Sequence, residues 1–181
     1  AVKAYKKVGF KEYPHQGNDN ICLMALERDD LDIKVIDNPV IDEYAACFTG
    51  CIILSHDKRI LLQKRPDDWQ TRPGYLTTFG GRIEKGEKPA QAIVRELFEE
   101  LGARVPLNEL IELDAVTEPC TGHTELVFEY FWHDKGNLIT GCYEGIPAYF
   151  KDQEAVLNEA KKMDDIEWIL AECQKRNLIT N

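Results

Sequence analysis

Three carboxylates fall within five residues at Glu96, Glu99 and Glu100, and Arg95 precedes them directly. On a helix advancing about 100° per residue, Glu99 and Glu100 lie about 60° and 40° to either side of Glu96. Ala90, Ile93, Val94, Leu97 and Leu101 gather about 120° away, so one stripe is bound for a core while the other crowds negative charge. Like charges at i, i+3 and i+4 each cost roughly 0.2–0.5 kcal/mol in an isolated helix. A divalent cation would offset that repulsion, and hard oxygen ligands favour Mg2+, with Mn2+ as the alternative. The competing description is a solvated acidic face on which Arg95 makes surface ion pairs worth about 1 kcal/mol or less.

The helix has clear ends. Pro89 suits its first position, where a missing N–H costs nothing, and Gly102 suits the residue just past its last turn. The spacing extends further: Gly81, five residues, Glu87, seven residues, Arg95-Glu96-Leu97, one residue, Glu99-Glu100, one residue, then Gly102-Ala103. With each strict position near roughly 6% average usage, such a match arises by chance on the order of once in a hundred million windows. This stretch resembles the Nudix box of the MutT-type hydrolase superfamily, with Ala103 smaller than the aliphatic residue usual there.

The resemblance implies an α/β fold, a Nudix-like α/β/α sandwich with a mixed β-sheet between helices. It implies metal-binding roles for Glu96, Glu99 and Glu100, with Gly80 included among the metal positions. Glu96 is also a candidate base toward an attacking water, so Glu96, Glu99, Glu100 and Arg95 form the expected catalytic set. Arg95 and Glu87 would brace the loop and orient the carboxylates. Gly81, Glu87 and Gly102 complete the structural box, with Gly81 letting the chain turn tightly. The implied activity is Mg2+-dependent cleavage of the diphosphate linkage in a nucleoside diphosphate carrying a further group. Nucleoside triphosphates, oxidised ones included, come first as substrate; ADP-ribose or a nucleotide-sugar is the alternative. Isopentenyl diphosphate isomerisation on the same fold needs a catalytic cysteine, and neither Cys47 nor Cys51 has a suitable context. A non-catalytic nucleotide sensor would be expected to have lost box glutamates, and all are present here.

Outside the box, Glu144 is the choice for a further carboxylate supplied by a later loop, with Glu118 and Glu125 competing. Arg65 is a candidate phosphate contact, weighed against the common use of basic residues at strand ends as solubility devices. Trp69 and Tyr75 flank the loop leading to the box, where either could stack on a base or pack against apolar neighbours. His15, His56, His123 and His133 show no ligand spacing.

The elements that must position these residues follow from the pattern. Ile33–Ile36 reads as a short strand, Cys47–Leu54 and Ile60–Gln63 as a hairpin turning at His56-Asp57-Lys58, and Tyr75–Phe79 as a brief strand into Gly80-Gly81. Leu110–Val116, Glu125–Trp132 and Asn137–Cys142 complete the strands. Helices are expected at Asp152–Lys161 and Ile166–Lys175, the latter with a capping box from Asp164 and Glu167. Residues 1–43 read as an N-terminal extension packing on the main domain or on a partner subunit, which allows a homodimer; 44–181 form the hydrolase domain.

Composition fits this picture. The chain has 181 residues, 44% hydrophobic and 30% charged, with a formal net charge of −10. That charge argues against a protein gripping nucleic acid by its phosphates, and leaves a small nucleotide as partner. No apolar run approaches the roughly 18–20 residues a membrane span needs. Six scattered cysteines without a Cys-x-x-Cys pair read as buried thiols of a cytoplasmic protein. No secretory leader is visible, and Ala1 points to a trimmed start.

Overall fold

The computed structural model describes residues 11–13, 23–25 and 32–179. Strands β1 (Lys11–Tyr13) and β2 (Leu23–Ala25) pair antiparallel as a separate two-stranded sheet. A second, seven-stranded mixed sheet contains β3 (Lys34–Val35), β4 (Ala46–Leu54), β5 (Ile60–Lys64), β6 (Leu76–Thr77), β7 (Leu110–Thr117), β8 (Glu125–His133) and β9 (Ile146–Phe150). Its order is β3-β7-β8-β4-β5-β6, and β9 also pairs with β5. Most of the expected extension lies outside the described residues, but its residues 34–35 supply edge strand β3.

The centre of the sheet is the parallel pair β4–β8, in register from Ala46 opposite Glu125 to Leu54 opposite His133. Both strands are apolar on both faces because helices cover each side. Side chains on one face, including Cys51, Ile53, Phe128, Tyr130 and Trp132, join Ile93, Leu97 and Leu101 of helix α1 (Pro89–Leu101) in one core. On the other face, Ile52, Leu62 and Phe131 meet Val156 of α2 (Gln153–Leu157) and Ile166, Ile169 and Leu170 of α3 (Asp165–Lys175). Each such buried Leu or Ile contributes roughly 1.5–3 kcal/mol of hydrophobic stabilisation. The expected α/β/α sandwich therefore forms. No helix among the described residues is long and apolar enough to cross a membrane.

The expected hairpin forms, with β4 and β5 antiparallel and Lys58 at φ 66° in the turn. Three sequence expectations change. Asn137–Cys142 is not a strand; the sheet instead takes β9, which pairs antiparallel with β5 from Ile146 opposite Lys64 to Phe150 opposite Ile60. Segment 137–143 bonds locally because the Asp134 carboxylate accepts from Leu138 N at 2.7 Å. Thr140 N and Tyr143 N then donate to the Leu101 and Glu100 carbonyls at 3.0 and 2.7 Å, satisfying acceptors left open at the end of α1. The penultimate helix stops at Leu157 rather than Lys161. Finally, Asp164 occupies the cap position of α3 without a side-chain cap bond, while Glu167 pairs with Lys162 at 3.1 Å, so the capping box does not form.

Candidate functional site

The box folds as strand end, loop and helix. Pro89 opens α1, and Gly102 closes it at φ 64°, donating its N–H to the Leu97 and Phe98 carbonyls. That left-handed conformation is inexpensive only without a side chain, and an added Cβ would also meet Thr140 Oγ1 at 2.0 Å.

Arg95 organises the carboxylates. Its Nε and Nη2 donate to Glu87 Oε1 and Oε2 at 3.1 and 3.0 Å, a bidentate fork. Its Nη1 donates to Glu96 Oε1 at 2.7 Å and Glu99 Oε2 at 3.2 Å, and Nη2 also reaches the Arg82 carbonyl at 3.0 Å. One planar guanidinium thus ties the loop after Gly81 to two helix carboxylates. Glu100 turns the other way: Oε2 accepts from Gly80 N at 2.7 Å and Oε1 from Gln63 Nε2 at 2.7 Å. Gly80 therefore enters the site as an amide donor holding Glu100.

The two glycines have different reasons to be glycine. Gly80 has φ 140°, and a Cβ there would lie 2.2 Å from the Thr49 carbonyl oxygen. Gly81 needs no special backbone angle; its missing Cβ makes room for Glu96, whose Oε1 would otherwise sit 2.5 Å away. The tight turn expected of Gly81 thus belongs to Gly80, and Gly81 supplies space.

Environment divides the carboxylates. Hydrogen bonds from Arg95 hold Glu87 below the usual carboxylate range. Burial, then partly opposed by Arg95, raises Glu96, with the charges of Glu99 and Glu144 adding to the rise. Glu100 is 3% exposed, and burial pushes its carboxyl up to about 8 despite the Gly80 and Gln63 hydrogen bonds. Glu144 also raises it, so the expected loop carboxylate does lie within electrostatic reach of Glu96 and Glu100. Tyr143 N bonding the Glu100 carbonyl brings it there.

Glu96 and Glu99 are held by Arg95, and Glu100 by Gly80 and Gln63, so two separate sets of donors position the three carboxylates. An open, all-oxygen set of this kind fits Mg2+, which keeps several waters and takes only part of its shell from protein. The raised carboxyl of Glu100 fits as well, since a cation would relieve the repulsion it shares with Glu144 and Glu96.

Beside the box lies a cavity of about 420 Å3 whose walls include Gly80, Gly81, Arg65, Arg72, Glu118 and Glu129. Arg65 stacks over the Trp69 ring at 4.7 Å and bonds the Thr71 carbonyl at 2.9 Å. Tyr75 is not a wall residue; its ring lies under the Arg72 guanidinium at 5.5 Å. Of the two other candidate carboxylates, Glu118 is 5% exposed in the cavity wall and Glu125 lines it.

Sequence reasoning missed Gln63 and the buried pair of Glu129 and Asp165. Glu129 is wholly buried on β8, over Gly50 of β4, where an added Cβ would come within 2.5 Å of its carboxylate. Burial and the nearby Asp165 charge hold Glu129 well above its usual range, and burial raises Asp165 to about 6. The available signal was a lone glutamate inside the apolar run Leu126–Trp132.

Comparison with known proteins agrees with this arrangement. Nucleoside triphosphatase NudI of Escherichia coli O17:K52:H18 is 38% identical over 122 residues, covering 67% of this chain and 80% of that protein. An octanoyltransferase of Myxococcus xanthus is 49% identical over 51 residues, 28% of this chain, but the chain spans only 13% of that protein's length. The MutT protein of Methanosarcina mazei superposes with a TM-score of 0.60 at 14% identity, covering 76% of this chain and 99% of that one. Residues 48–171, which hold the sheet apart from β3 and the first residues of β4, the box helix and most of α3, match the NUDIX domain. The box spacing, the guanidinium that gathers its carboxylates and this match agree: the chain belongs to the Nudix family of hydrolases.

Proposed function

We propose that the protein is a Mg2+-dependent hydrolase of nucleoside triphosphates, cutting a diphosphate linkage at the edge of the cavity beside the box. The supporting observation is a juxtaposition: Glu96 rests against Gly81, Glu100 is bonded to Gly80, and both glycines line the cavity. A nucleotide lying there presents its phosphates to the box carboxylates and its base to the far wall.

A diphosphate resists attack because its oxygens repel an anionic nucleophile. Glu96, Glu99 and Glu100 would hold the cation, with Glu144 close enough to add a fourth carboxylate. A bound cation neutralises phosphate charge and lowers the pKa of attacking water. Arg95 aims Glu96 and Glu99 by donating to both. Glu96, already raised by burial, is the base that accepts the water proton. Arg65, at the cavity wall, contacts the phosphate chain. Glu118, Glu129 and Asp165 also line the cavity, where their carboxyl groups suit the N–H groups of a base better than a phosphate.

The test is a panel of canonical and oxidised nucleoside triphosphates, ADP-ribose and nucleotide-sugars, assayed with Mg2+ for released phosphate or pyrophosphate. Turnover of a triphosphate is expected, and Glu99→Gln or Glu100→Gln should slow it at least about a hundredfold. Preference for ADP-ribose would transfer the assignment to that substrate. Unchanged rates in both variants would remove the metal role, and tight binding of a panel member without turnover would indicate a sensor.

A further inference from the structure

A second group of potential ligands lies away from the box glutamates. Glu118 ends the loop entry from β7, Cys120 sits in the single turn Pro119–Thr121, and Asp164 precedes α3. One ligand atom from each lies within 4.8 Å of the other two. Glu118 is 5% exposed, and its Oε1 has no hydrogen-bond partner. A buried carboxylate oxygen left bare is costly, which indicates a missing partner. Asp164 adds a second indication: placed where an aspartate ordinarily caps a helix, it makes no cap bond and interacts with Cys120 instead.

Burial, then the charges of Asp165 and Asp164, push Glu118 up to about 8; Arg72 is the cation that opposes them. Burial and Glu118 push the Cys120 thiol up to about 12, again with Arg72 in opposition. Both groups are therefore held protonated near neutral pH in the empty site, and a divalent ion would displace their protons on binding.

We propose that Glu118, Cys120 and Asp164 form a binding site for a thiophilic divalent cation of the Zn2+ class, distinct from the box. One thiolate and two carboxylates suit Zn2+ or Co2+, whereas Mg2+ prefers an all-oxygen shell. Three protein ligands leave a fourth position open to water or to a bound molecule. Glu118 and Cys120 also line the cavity, so the ion places positive charge on a wall otherwise dominated by carboxyls. The site does not depend on which substrate the box cleaves.

The test is titration of the full chain with Co2+, read by thiolate-to-cobalt charge-transfer absorption. One equivalent should produce the band, and Zn2+ but not Mg2+ should displace it. Cys120→Ser should abolish the band. Asp164→Asn, at an exposed position, should weaken Co2+ binding at least tenfold with the melting temperature unchanged. Cys142→Ser and Glu99→Gln should leave the band intact, which separates this site from the box and from Cys142, the thiol beside Glu100 and Glu144. Absence of the band in the wild type, its survival in Cys120→Ser, or its loss in Cys142→Ser would each overturn the assignment.

Discussion

Replacing Gly81 with alanine tests whether the position of Glu96 limits the reaction. The new Cβ would stand 2.5 Å from Glu96 Oε1, 2.6 Å from Cδ and 2.8 Å from Oε2. Carbon and its neighbours pack at roughly 3.5 Å, so the carboxylate must retreat by about 0.7–1 Å. That retreat also pulls Glu96 away from Arg95 Nη1, now 2.7 Å distant. Misplacing a reacting group by about 1 Å costs on the order of a hundredfold in rate, or about 2.7 kcal/mol of activation free energy. The fold should survive, because the obstacle is the far end of a flexible side chain, and alanine at a compatible backbone angle gains about 0.4–1 kcal/mol. The assay is kcat and kcat/KM on the best panel substrate, alongside thermal unfolding. Activity should fall about a hundredfold with little change in melting temperature. Activity within about threefold of wild type would show that the close approach of Gly81 to Glu96 has no catalytic meaning. Gly80→Ala is the contrast: at φ 140° and 2.2 Å from the Thr49 backbone oxygen it should lose about 2–4 kcal/mol of stability, seen in urea unfolding.

Arg95→Lys keeps the charge but loses the fork that spans Glu87, Glu96 and Glu99; kcat should drop at least tenfold, while urea unfolding changes by only about 1 kcal/mol because the pairs are partly exposed. Arg65→Ala should raise KM about tenfold and leave kcat within about threefold, and a fall in kcat with unchanged KM would count against its phosphate contact. Stability should decline as pH rises from about 4 toward 8, because Asp165 and Glu118 have folded values of about 6 and 8 and unfolded values of 3.8 and 4.5. Across that window the folded state binds more protons than the unfolded state, so raising pH favours unfolding. Glu129→Gln removes the most deeply buried member, and should melt higher than wild type at pH 8 and near it at pH 5. A variant that melts lower at both would refute the raised carboxyl of Glu129.

Much of the site could be read from residues 81–103 alone, for a local reason. Helical spacing puts Glu96, Glu99 and Glu100 on one face and Ile93, Leu97 and Leu101 on the other, and Pro89 and Gly102 bound the helix through their own backbone preferences. Apolar, β-prone runs likewise marked β4 and β5, and partial alternation marked β8. Segment 137–142 escaped such reading because its partners are the Asp134 carboxylate and the last carbonyls of α1, groups that come near only once the chain has folded. The same holds for Asp164, whose sequence context is that of a helix cap but whose neighbour in space is Cys120.

The sequence by itself determined that a cluster of glutamates exists, which helix carries it and which arginine accompanies it. Only the tertiary structure decided what those side chains face. Gly80 and Gln63, distant in the chain, claim both oxygens of Glu100, and the loop at Tyr143 brings Glu144 within reach of the same group. It also gathered Glu118, Cys120 and Asp164 from two loops more than forty positions apart. Periodicity records which face of an element is buried; it carries no information about which charges on different elements will share the same few ångströms.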